Sequence, residues 1–300
     1  MATTWYVSLD TGNDTTGNGT VGNPYKQITK AASVGSQGDT IMVASSASTY
    51  TYSNGGNMGG YHIKGIDTPS LASNTYAMID GLNSTYGAIA LNGNDATTTF
   101  ENIYMKNHVT TGKIFTIDTA TGYAIHKFVN CIFDKFTTTY DANGRTGFFG
   151  KTNVSVTVPA TSITILFDGC TFIDFQGSGS FMSVYYATTL SVTFRNCTFS
   201  YDSTISTFPY SIVQGSPSYL KPAYFYNCVI DNRHATTLYP YRDAPSGSFI
   251  MSNNISRNLT TTNATLTANI TGDPLFVDLV NKNFRLKPNS PARNIGDVSL

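Results

Sequence analysis

The sequence predicts an all-β solenoid, a single-stranded parallel β-helix, and three observations carry that expectation. A short phrase recurs as Phe100-Glu-Asn-Ile103, Phe128-Val-Asn-Cys131, Phe167-Asp-Gly-Cys170, Phe194-Arg-Asn-Cys197 and Phe225-Tyr-Asn-Cys228, with a degenerate copy between Ile250 and Ile255. Its Phe-to-Phe steps are 28, 39, 27 and 31 residues, in the range of solenoid repeats. Each copy continues with an apolar residue two places on (Met105, Phe133, Phe172, Phe199, Ile230), which is the period of a strand and not of a helix. Finally, the residue before the Cys or Ile is Asn in four copies and Gly169 in the other. Asn and Gly tolerate the left-handed conformation, so a tight bend joins two short strands at that point. Coils stacked about 4.8 Å apart then bring like residues into register. Phe128, Phe167, Phe194 and Phe225 form one interior ladder, and Cys131, Cys170, Cys197 and Cys228 a second.

Taken in order, residues 5–10 read as a first strand and the Gly- and Asn-rich run 11–23 as a loop. Asn23 is a suitable N-cap with Pro24 behind it, and Tyr25, Ile28, Ala31 and Ala32 share one helical face before Gly35. A helix over 24–34 is therefore expected to cap the open N-terminal end of the stack. The expected organisation is one structural domain: 1–39 strand, loop and capping helix, 40–271 parallel coils, 272–300 C-terminal coil and cap. Strands at 41–43, 61–66, 77–82 and 88–91 precede the phrases, and eight to ten coils fit the length. Excess residues within 137–160, 201–222 and 232–247 are expected to leave the stack as loops and wall a groove.

Composition narrows the function. Charged residues make up 12% and the formal net charge is zero, which leaves no electrostatic footprint for nucleic acid or an anionic membrane. Among the acids only Glu101 is a Glu, and abundant Thr, Asn, Ser, Gly and Tyr favour strands and turns. The first residues show no basic and apolar leader pattern, and no run approaches 18 apolar residues, so a virion or extracellular protein without a membrane span is expected. The four Cys could in principle pair or bind metal. Their common place in successive phrases instead makes them a line of buried thiols, small hydrophobes in effect.

The phrase, with the opening Trp5-Tyr-Val-Ser-Leu-Asp10, Asn23-Pro-Tyr-Lys-Gln-Ile28, Gly38-Asp-Thr-Ile-Met-Val43 and the closing Gly272-Asp-Pro-Leu-Phe276 and Phe284-Arg-Leu-Lys-Pro288, resembles the right-handed parallel β-helix proteins of the pectate-lyase-like group. The resemblance covers nearly the whole chain. It implies a right-handed helix, and a fold that hosts lyases, glycoside hydrolases, phage tailspikes and adhesins alike.

No P-loop, dinucleotide fingerprint, HExxH, EF-hand loop or Gly-x-Ser-x-Gly occurs, so any site is built across coils. An Asp follows each Cys by three to five residues: Asp134, Asp174, Asp202 and Asp231. Carboxylates one or two coils apart approach the spacings of retaining and inverting glycosidases, and Asp174, Asp202 and Asp231 are the candidate catalytic groups. Turn chemistry explains the same residues without catalysis. Arg233, Tyr239, Tyr241 and Arg242 are candidate glycan-binding residues, since Tyr beside Arg and Asp suits stacking on sugars. Tyr140, Asp141, Arg145, Lys151, Tyr201, Tyr210, Tyr219 and Asp243 enrich the same loops, and Tyr185-Tyr186 form a further tyrosine pair. Lyases of the resembled group use an Arg or Lys base, for which Arg145, Arg233, Arg242 and Lys135 are present. His62, His108, His126 and His234 lack metal spacing and read as exposed or locally bonded; no metal and no cofactor is expected. The expected function is recognition, with or without cleavage, of a surface polysaccharide by a spike-like virion protein. Its expected partners are a glycan and other virion proteins, with a homotrimer as one assembly. The alternatives are a secreted polysaccharide lyase or hydrolase, and a structural decoration or adhesin.

Overall fold

The computed structural model describes residues 2–51, 57–69, 71, 76–81, 89–91, 96–110, 113–116, 123–138, 147–150, 162–177, 180–184, 190–205, 209, 211–215, 222–242, 249–262 and 264–296. Its strands stack in parallel, each pairing with the strand one coil away. The longest sheet has ten strands, running from Thr4–Val7 through Tyr123–Val129 and Leu190–Arg195 to Ala264–Thr267. A nine-stranded sheet runs from Tyr50–Thr51 through Ile132–Asp134 and Val229–Asn232 to Ile270–Thr271, and a six-stranded sheet from Ile89–Ala90 to Tyr239–Arg242. A three-stranded sheet (Val109–Thr110, Thr137–Thr138, Gln176–Gly177) lines a corner. The chain is a parallel β-helix.

The recurring phrase forms the edge between the first two sheets. Asn102, Asn130, Gly169, Asn196, Asn227 and Asn253 all lie in the left-handed region, with φ between 50° and 64°. At Gly169 glycine takes the asparagine's place in the left-handed bend, and a Cβ there would stand 2.6 Å from Asn130 Oδ1, the movable end of that side chain. Inside the bend, Phe100, Phe128, Phe167, Phe194 and Phe225 share one register, with successive rings stacked 4.8 to 5.3 Å apart. Phe133, Phe172 and Phe199 make a second stack at 5.0 and 4.5 Å.

The four cysteines are free and buried. Each Sγ–H reaches back to the Phe carbonyl one coil earlier, at 3.2 to 3.5 Å. Where the Cys row ends, asparagine continues it: Asn254 Nδ2 donates to Phe225 O at 3.0 Å and its Oδ1 accepts the Cys228 amide at 2.7 Å. Asn269 repeats the pattern on Met251 O and on Asn254.

Three expectations change. The helix spans only Ile28–Val34, burying Ile28 and Ala31 against the first strands. Tyr25 bridges to Val7 in parallel fashion, which keeps that segment extended, so Asn23 and Pro24 lie outside the helix. Asp14 instead accepts the amides of Lys26 and Gln27 ahead of the first turn. Second, the stretches expected to project as loops contain strands of the third face: Gly147–Gly150, Ser211–Gly215 and Tyr239–Arg242. Third, the described residues 272–296 form no further parallel strand. Phe276–Asp278 and Asn283–Leu286 pair with each other as an antiparallel hairpin, which folds back over the outer face of the nine-stranded sheet.

Candidate functional site

The outer face of the nine-stranded sheet carries two registered rows. Met78, Tyr104, Ile132, Thr171, Thr198 and Val229 form one; Asp80, Lys106, Asp134, Ile173, Ser200, Asp231 and Arg257 form the other. The candidate aspartates therefore do not make a single ladder. Asp134 and Asp231 share a row three coils apart, Asp174 lies one residue beyond that row, and Asp202 beyond Tyr201. The unequal offsets of these residues from their cysteines put them at different places on the turn.

Each aspartate has its own surroundings. Asp134 is buried, accepts the Tyr104 hydroxyl at 2.6 Å and receives Lys282 Nζ on both oxygens at 2.8 Å. Asp231 has no exposed side-chain surface and is held by Arg257 Nε at 2.6 Å, with Arg233 Nε 3.4 Å away at ion-pair distance. Burial pushes its pKa up against the pull of those guanidiniums. A carboxylate so enclosed cannot meet a substrate, so Asp231 is a structural anchor and not the catalytic group expected. Arg233 is likewise committed, donating to Asp202 at 3.3 Å and to Ser200 Oγ at 3.2 Å.

Asp174 and Asp202 are brought together. The Asp202 amide donates to Asp174 Oδ1 at 3.2 Å, and both line a cleft of about 450 Å³ beside the hairpin, with Lys135, Ser200, Arg233 and Lys282. Burial raises the pKa of Asp174, tempered by the charge of Lys282. Asp202 is held below the usual carboxylate range, first by the Thr204 amide at 3.0 Å and further by the Thr204 and Ser203 hydroxyls and Arg233. Asp174 and Lys135 both take left-handed backbone, at φ 51° and 55°, which fits the turn chemistry read from the sequence.

The aromatic candidates separate by strand alternation. Tyr239 faces out, 46% exposed, whereas Tyr241 is 5% exposed, belongs to the core and packs its ring on Phe249. Tyr241 is thus a core residue and not a glycan contact. Both stand on the six-stranded sheet, apart from the aspartates on the nine-stranded one. Tyr201 is fully buried. The side chain of Arg242, and Tyr140, Asp141, Arg145, Lys151, Tyr185, Tyr186, Tyr210, Tyr219 and Asp243, lie outside the described residues. His62 bonds Glu101 at 2.9 Å and His234 accepts the Thr236 amide, as locally bonded histidines do. His108 and His126 are instead buried, His108 with its ring stacked on Phe136 at 4.9 Å.

Sequence reasoning missed Lys282 and Phe284, which come to this face from the C-terminus. Phe284 packs on an apolar cluster of Tyr76, Met78, Tyr104, Ile132 and Ile173. On its other side lies a second cleft of about 570 Å³, floored by Leu71 and Ile132 and edged by Thr171, Thr198, Asn283 and Arg285.

No family model matches this chain, and no curated protein matches it. Among solved structures it is similar to pectate lyase Pel9A, at 14% identity and TM-score 0.48, over 97% of this chain and 90% of that one. A rhamnogalacturonan lyase matches at 11% and 0.48, over 90% and 74% of the two chains. The GH136 lacto-N-biosidase from Eubacterium ramulus matches at 9% and 0.41, over 89% of this chain and 55% of its own. At these identities and TM-scores the likenesses carry no statement about function.

Proposed function

We propose that this chain recognises a polysaccharide in the cleft beside the C-terminal hairpin and hydrolyses it. The observation that carries the reading is the pair Asp174 and Asp202, two carboxyl groups in one cleft whose surroundings push their acidities in opposite directions. Glycoside hydrolysis asks for such a pair. Asp174, half-buried and biased toward its protonated form, acts as the acid that protonates the leaving oxygen. Asp202, held ionised, acts as the base or nucleophile. Lys135 and Gln176 line the cleft and offer donors to sugar hydroxyls.

A binding-only reading has its own observation: Asp202 accepts from Thr204, Ser203 and Arg233, which occupies the lone pairs a base needs. A glycan array followed by reducing-end assays on the hits separates the two. Asp174→Asn, which keeps a residue suited to the left-handed backbone, is expected to abolish product while leaving binding within about threefold. Binding without product in the unaltered protein would sink hydrolysis and leave a lectin-like spike. Unsaturated products would identify a lyase, with Lys135 or Arg233 as base.

We further propose that the protein acts on a virion or outside the cell beside other virion proteins, with a homotrimer as one assembly. Mass spectrometry of purified particles tests the first, and light scattering of the isolated chain tests the last.

A further inference from the structure

We propose that the C-terminal hairpin is a strap that opens as a unit, and that its opening joins the clefts on either side into one groove for a polymer that neither cleft holds alone. Four observations carry this. The strands Phe276–Asp278 and Asn283–Leu286 pair only with each other and belong to none of the parallel sheets. Among the described residues the hold of the hairpin on the coils is narrow: Lys282 Nζ on the Asp134 carboxylate, Phe284 on the apolar cluster around Ile132, and at its root Arg257 on Asp273 at 3.0 Å. In its bend Val280 is 92% exposed, and Lys282 supplies the bend's ion pair to the coils. Finally, Lys282 and Phe284 line both clefts, while the sheet beneath continues in register from one to the other. The hairpin is thus a bar across a continuous surface.

An element with few buried apolar contacts and no shared sheet opens at lower cost than the coils beneath it. Its latch also touches the site, since the Lys282 charge acts on Asp174. That the polymer is a polysaccharide rests on the function proposed above. The opening itself does not.

The native thiols provide a silent background, because all four are buried. A single thiol introduced under the strap by Ile132→Cys, a position 6% exposed, is expected to react with a bulky disulfide reagent while the native four stay unreactive. Adding Lys282→Met should speed that reaction at least tenfold. Equal rates with and without Lys282, or labelling only together with the native thiols, would overturn the strap. Hydrogen exchange on Phe284→Ala, which leaves Ile132 in place, gives a second reading: amides of 276–286 should exchange at least tenfold faster with those of the Phe194 coil unchanged. Parallel acceleration of both refutes independent opening. With any glycan that binds, Lys282→Met should strengthen long chains relative to trisaccharides, and an equal gain would refute the joined groove. Absence of any glycan binding defeats the polysaccharide reading and leaves the labelling and exchange results to decide the strap.

Discussion

Replacing Phe194 by Ala tests whether the interior ladder holds the solenoid together. The ring is fully buried, stacked 4.9 Å from Phe167 and 4.8 Å from Phe225, and edge-on to Phe199 at 5.3 Å. Phe→Ala in a core costs about 3–5 kcal/mol. Here the loss belongs at the upper end. Two stacked partners each forfeit an aromatic pair worth about 0.5–1.5 kcal/mol, and backbone pairing to the coils above and below keeps the walls from closing on the cavity. A chain of 300 residues unfolding as one unit has an unfolding entropy of about 0.6 kcal/mol per degree, so a loss of about 5 kcal/mol lowers the Tm by roughly 8 °C. Tyr239→Ala removes a ring of similar size from a half-exposed position and should cost within about 0.5 kcal/mol, under one degree. Scanning calorimetry on the two variants side by side makes the comparison. A Phe194→Ala Tm no lower than that of Tyr239→Ala would refute the ladder as the source of stability.

Three further outcomes follow from the interior. Burial lowers both His108 and His126 from 6.5 to about 4. Both are neutral in the folded chain and charged in the unfolded one below pH 6.5, so stability should hold above that pH and fall as pH drops toward 4, by on the order of 3 kcal/mol per histidine. Urea melts across that window should show it, and His126→Leu should remove about half the slope, since neither ring nitrogen of His126 has a hydrogen-bond partner among the described residues. Asn254→Val should cost about 2–4 kcal/mol by stranding the Cys228 amide and the Phe225 carbonyl, and Asn254→Cys less, because a thiol can still reach that carbonyl. In thiol titration the native chain should show none of its four cysteines and the denatured chain all four without reductant; two or none on denaturation would mean pairing.

The Phe, Asn and Cys rows were legible because a solenoid imposes the same local demand on every coil: a ring inside, a left-handed bend, a small side chain after it. Each demand falls on a single position, so it repeats in the chain as a phrase. Asn254 and Asn269 escaped notice for the complementary reason. They meet the demand of the Cys row, a donor to the preceding carbonyl, with a different residue type. The third face has no such phrase, and its strands at Gly147–Gly150, Ser211–Gly215 and Tyr239–Arg242 read as loop.

What the sequence by itself determined is the parallel β-helix, its interior ladders and the free state of its thiols, because all three follow from a local rule applied coil after coil. Only the tertiary structure decided which aspartates share a cleft and which are enclosed. Asp231 is closed off by Arg257 from the next coil, and Asp134 is claimed by Lys282, 148 residues away. Asp174 and Asp202 meet because two coils align beneath a hairpin that arrives from the far end of the chain. Burial and charge pairing depend on what lies nearby in space, and no spacing along the chain encodes which aspartate a distant lysine will reach.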